Sequence, residues 1–151
     1  MGQEETRQLH VVARMEDAVR MGYDAALAKL QGSDAAPSLK RFRQEHQEHI
    51  ERLLEAEAST GARAQDSKVV EDYVKQVVDG TSKSLDYRGV FSTLRVAEAA
   101  LRLETDSLLR AGPPPGLEDD LRRWVSEEEE HVDFLRLATA GLTQPRRTTK
   151  R

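Results

Sequence analysis

Apolar residues recur along most of this chain at intervals of three and four, the spacing of one face of an α-helix. The first such stretch covers about 5–31 and carries Val12, Met15, Val19, Tyr23, Ala26 and Leu30, with Gly32 as its stop. The second begins near Ser38, just after Pro37, and carries Leu39, Phe42, Leu53 and Ala56. The third covers about 84–111 with Tyr87, Phe91, Leu94, Leu101, Thr105 and Leu108. It ends at the run GPPPG, because proline has no N–H to donate and its ring clashes with the preceding turn. The fourth carries Leu117, Leu121, Trp124, Leu135 and Ala138 and ends at Gly141.

The connections constrain the topology. GSDAAP and GPPPG are short, so helices one and two, and helices three and four, are expected to form antiparallel hairpins. Between the hairpins lies a longer stretch in which Val70, Tyr73, Val74 and Val77 again keep helical spacing. The expected fold is therefore all-α: an antiparallel four-helix bundle of two hairpins joined by a long crossover that carries a short helix. One domain is expected over 1–141. The segment 142–151, with Pro145, Arg146, Arg147, Lys150 and Arg151, is expected to be a basic flexible tail, with a docking peptide as the alternative.

Composition narrows the function classes. The chain has 151 residues, 33% of them charged and 5% aromatic, as in helical proteins rich in Glu, Arg, Ala and Leu. A net charge of −4 gives no reason to expect a nucleic-acid partner. With no cysteine, disulfides, iron–sulfur clusters and thiolate zinc sites are excluded, and the reducing cytoplasm is the expected compartment. No apolar run is long enough to suggest a membrane span.

The candidate chemistry lies where the stripes are interrupted. Glu16 falls midway along the first stripe and Glu98 midway along the third. The second has His49, with His46 or Glu45 one turn earlier; the fourth has Glu128 and His131 at i and i+3. In the run SEEEEHVDFL only Glu128 shares the stripe of Trp124, His131 and Leu135. Glu127 and Glu130 are expected to be flanking or solvated, and Glu129 to point away. A lone carboxylate facing the axis of a bundle is costly to bury as an anion. Carboxylates that converge with imidazoles lose that cost when they bind a cation.

These positions also repeat. Glu16 to His49 and Glu98 to His131 are both 33 residues, and Glu16 to His46 and Glu98 to Glu128 are both 30. Glu16, His46 and His49 therefore map onto Glu98, Glu128 and His131 with one offset of 82, as two similar hairpins about a pseudo-twofold axis would require.

On these residues the chain resembles the ferritin-like superfamily, in particular rubrerythrin- and bacterioferritin-type di-iron carboxylate bundles. EEEEHVDFL resembles the fourth-helix motif, EDAVRMGY the first-helix pattern of Glu16 and Tyr23, and AEAALRLE places Glu98 in the third-helix position. EHQEHIERL aligns His49 with the ligand histidine but holds His46 where that family has glutamate, with Glu45 adjacent. The resemblance implies two irons per chain, one held by Glu16 and His49, the other by Glu98 and His131. Glu128 would bridge them and Glu45 or His46 would complete the set. It further implies ferroxidase- or peroxidase-type redox chemistry with dioxygen or peroxide, in iron handling or oxidative-stress defence. Tyr23 would hydrogen-bond a ligand carboxylate, and a homodimer is the expected assembly. His46 in place of a glutamate leaves a single ion or another divalent metal open. The alternative function is a non-catalytic helical module, stress-related or partner-binding, whose metal site has been lost.

Overall fold

The computed structural model describes residues 2–60 and 66–141; the basic segment 142–151 and residues 61–65 of the crossover lie outside them. The described residues are helical apart from turns and short connections, without strands. Five helices follow in order: α1 (Gln3–Lys29), α2 (Ala36–Thr60), α3 (Lys68–Ser82), α4 (Tyr87–Arg110) and α5 (Glu118–Thr139).

Each boundary has a local cause. Ser67 caps α3 by accepting from the Val70 amide at 3.2 Å, and Asp86 caps α4 by accepting from the Gly89 amide at 3.0 Å. Helix α2 starts two residues earlier than the sequence suggests, because Pro37 is accepted inside its first turn, where no N–H is needed. Helix α4 starts three residues later than expected, at its Asp86 cap, and leaves Tyr87 half-exposed. Gly112 and Gly116 frame the proline run with φ of 86° and 87°, a left-handed backbone that residues with a side chain rarely adopt.

Helices α1 and α2 run antiparallel. His10 meets Glu57 at 3.1 Å near one end, Glu16 meets His46 and His49 midway, and Asp24 pairs with Arg43 at the other end. Helices α4 and α5 form the equivalent pair, with His131 against Glu98. The two pairs face each other. Tyr23 of α1 reaches Glu98 of α4, while Arg52 of α2 reaches Asp120 of α5 at 3.0 Å.

Helix α3 lies over the seam between α1 and α4 and breaks the symmetry of the pairs. It buries Val70, Val77 and Thr81 there, and the Tyr73 hydroxyl donates to the Ala97 carbonyl at 2.7 Å. Gly22 makes this approach possible. A Cβ at that position would stand 2.9 Å from Leu94 Cδ2 and 3.1 Å from Val77 Cγ1, closer than side chains pack.

The apolar stripes meet in one core, with Leu9, Leu39, Leu53, Leu94, Leu101, Leu121 and Leu135 fully buried. That core is interrupted in the middle by charged residues. Among the described residues no helix is long and apolar enough to cross a membrane.

Candidate metal centre

Six of the seven predicted site residues converge inside the protein. Glu16, His46, Glu98, Glu128 and His131 are fully buried, and His49 is 2% exposed. Each comes from the middle of a long helix, where a full turn of apolar contacts on either side holds the backbone. Glu16 is flanked by Val12 and Val19, Glu98 by Leu94 and Leu101, and His131 by Leu135.

The six side chains form two groups that share one member. Glu16, His46, His49 and Glu128 each offer a ligand atom, all within 4.8 Å of one another; His46, Glu98 and His131 do the same. His46 Nδ1 lies 2.6 Å from Glu16 Oε1, and its Nε2 lies 2.7 Å from Glu98 Oε2. His49 Nδ1 is 3.0 Å from Glu16 Oε2, and His131 Nδ1 is 2.9 Å from Glu98 Oε2. Tyr23 adds a third donor to Glu98 Oε2, at 2.5 Å, and its ring stacks on His46 with centroids 5.6 Å apart.

Glu45 stands outside the cluster. Between adjacent candidates the structure turns His46 inward and sends Glu45 behind His131, its Oε1 2.6 Å from His131 Nε2. Glu127 departs from the sequence pattern. It was expected at the flank, yet its Oε1 lies 2.7 Å from His49 Nε2. The signal was present: Glu127 is Glu45 displaced by the same 82 positions. The correspondence extends outward. Arg41 sits 3.5 Å from Glu45 and Arg123 sits 3.6 Å from Glu127. Phe42 packs on the His131 ring with centroids 4.1 Å apart, and Trp124 stacks on His49 at 4.5 Å. Arg41, Phe42 and Glu45 thus map onto Arg123, Trp124 and Glu127. His131 and His49 are each held from behind by a carboxylate and an aromatic ring of the opposite hairpin. Such outer partners fix ring orientation and aim the inner nitrogen.

The electrostatics follow from burial opposed by pairing. Burial pushes the Glu16 carboxyl upward, but His49 and His46 beside it bring it down to about 2. Burial likewise acts on Glu98, and His46 and His131 hold it far below the usual carboxylate range. Burial lowers the three histidines, yet the facing carboxylates win and raise all of them above the usual imidazole value: Glu98 and Glu16 at His46, Glu16 and Glu127 at His49, Glu98 and Glu45 at His131. Glu128 goes the other way. Burial and the neighbouring Glu16 anion push its carboxyl well above the ordinary range.

Glu128 is also the residue left without a bond. Neither of its carboxylate oxygens has a hydrogen-bond partner, nor has Glu98 Oε1. Its nearest imidazole nitrogen, His49 Nδ1, is 3.8 Å away. In the ionised form that a metal ligand must take, a fully buried carboxylate without donors costs free energy that a cation removes; without a cation, Glu128 avoids that cost by keeping its proton beside Glu16. The donor set is all nitrogen and oxygen, which suits imidazole-binding divalent ions such as Fe(II), Zn(II) or Co(II). The residues therefore fit a metal ion, and both groups can hold one. No family model, characterised protein or solved structure matches this chain, so the case for metal stands on this geometry.

Proposed function

We propose that this protein is a ferritin-like metal-binding bundle whose centre carries iron, with ferroxidase- or peroxidase-type activity. The observation that carries the reading is the pair of unbonded oxygens of Glu128, fully buried among carboxylates and imidazoles. The hairpin–crossover–hairpin order and the placement of Glu16, Glu98, Glu128, His49 and His131 support it further.

Iron held there would supply one-electron chemistry toward dioxygen or peroxide. The chain supplies the rest. Glu16, His46, His49 and Glu128 would hold one ion, and His46, Glu98 and His131 a second. Tyr23 orients Glu98 from outside, and Glu45 and Glu127 orient His131 and His49. The aliphatic residues around the site exclude water and keep the ligands from wandering.

One observation favours the second reading, a non-catalytic bundle that has lost its metal. His46 faces a carboxylate at both ring nitrogens, so its imidazolium can stand in for a cation between Glu16 and Glu98. Metal analysis of protein purified without chelator decides between them, followed by Fe(II) titration in air monitored in the near ultraviolet. The ferritin-like reading expects about two irons per chain and ferric absorbance that disappears in Glu128→Ala. Protein that takes up no metal and oxidises Fe(II) no faster than buffer overturns it.

A further inference from the structure

His46 stands where the two hairpins differ. The offset of 82 pairs it with Glu128, so one half of the centre has an imidazole where the other has a carboxylate. His46 is also the member common to both ligand groups. Its Nδ1 faces Glu16 at 2.6 Å and its Nε2 faces Glu98 at 2.7 Å. The lone pairs of an imidazole diverge from opposite sides of the ring, so one ring cannot give both nitrogens to a single ion.

Resting on the metal-binding reading above, we propose that His46 bridges two divalent cations as an imidazolate. One ion sits at Nδ1 with Glu16, His49 and Glu128, the other at Nε2 with Glu98 and His131.

Charge supports this arrangement. The fully buried ligands Glu16, Glu98 and Glu128 carry three negative charges as carboxylates, and an imidazolate adds a fourth. Two dications match that total. One dication with a neutral His46 leaves a net negative charge in a core with no solvent to stabilise it. In forming the bridge, the His46 imidazolium gives up both ring protons to bulk solvent: one leaves as the first ion takes the lone pair of one nitrogen, the other as the second ion takes that of the opposite nitrogen.

The two halves are unequal. The Nδ1 side has four protein ligands and is closed in the manner of a structural site. The Nε2 side has three, which leaves a position open for a small ligand. Glu98 Oε1, without a hydrogen-bond partner, belongs to that side.

The test is anomalous diffraction at the cobalt edge from crystals of the full chain grown with Co(II). The bridge expects two peaks flanking the His46 ring, about 6 Å apart given metal–nitrogen bonds of about 2 Å on either side of it. A single peak overturns the bridge and leaves the metal reading standing. So do two peaks about 3.5–4 Å apart, the separation of ions in ordinary two-metal sites. No peak at all overturns both readings. In solution, His46→Gln should lower cobalt uptake from two ions per chain to one with helicity unchanged, whereas undiminished uptake overturns the bridge. The crystal measurement needs no variant, so the proposal does not depend on that variant folding.

Discussion

Glu45 and Glu127 occupy equivalent places 82 positions apart, each holding the histidine of the other's hairpin: Glu45 Oε1 lies 2.6 Å from His131 Nε2 and Glu127 Oε1 lies 2.7 Å from His49 Nε2. This exchange ties the hairpins together at the centre and aims both Nδ1 atoms inward. Glu45→Ala and Glu127→Ala should therefore weaken metal binding by similar amounts, about 10- to 100-fold each. Competition against a chelator of known affinity measures both. A large loss in only one variant would show that the exchange is symmetric in shape but not in function.

Glu128 sets stability against binding. Its carboxylate has no donor and sits beside the Glu16 anion. Glu128→Gln removes the titrating group at nearly constant volume. Metal-free protein should gain on the order of 1–3 kcal/mol near neutral pH, because the amide is neutral without taking up a proton and one pKa unit of such a shift is worth about 1.4 kcal/mol. Urea unfolding of the metal-free protein reads this gain, and metal uptake in the same variant should fall. A variant that is both less stable and undiminished in metal uptake contradicts the assignment of Glu128 to the centre.

Without metal, stability should peak in mildly acid solution. Glu16 and Glu98 are held below their ordinary value of 4.5, so their contribution is present above it and is lost as pH falls below it, for Glu16 down to about 2. The three histidines are raised above 6.5, so their contribution is full below that pH and is lost as pH rises through the folded values. Thermal unfolding across pH should give a maximum between about 4.5 and 6.5. Glu128 draws the maximum toward the acid end of that range, because its folded carboxyl is raised and keeps its proton while the unfolded one ionises above 4.5, so stability is lost from there upward. Saturating metal should remove the alkaline decline, since the metal-bound histidines and carboxylates have already given up their titrating protons in the folded state.

Tyr23 donates to Glu98 Oε2 at 2.5 Å, alongside His46 and His131. Tyr23→Phe keeps the ring against Phe42 and His46 and removes one hydrogen bond to a charged acceptor. Chemical denaturation should register a loss of about 1.5–3 kcal/mol. The pH at which Glu98 is protonated should rise, which NMR of the labelled carboxyl carbon can follow. An unchanged titration would mean that the two histidines alone hold Glu98 ionised.

The four long stripes and the buried Glu16, Glu98, Glu128, His49 and His131 were legible in the sequence because a helix of 3.6 residues per turn puts every third or fourth residue on one face. A charged residue on such a face must be buried, and the common offset of 82 said which residues correspond. The same offset relates Glu45 to Glu127, but an acidic residue beside the stripe reads as solvated surface until something shows where its neighbour points. Glu45 and His46 are adjacent, about 100° apart around the helix, and both lie within reach of the interior. Periodicity cannot choose between them.

By itself, then, the sequence determined the helical elements, the hairpin connections and the inward-facing set, since all of these follow from local periodicity and chain breakers. Tertiary packing alone decided that His46 enters the core with both nitrogens engaged, and that Glu45 and Glu127 stand behind histidines of the opposite hairpin. It also decided that α3 closes the α1–α4 seam against Gly22. Those outcomes depend on how two helix pairs rotate and approach each other, and that is set by the mutual fit of side chains distant in sequence.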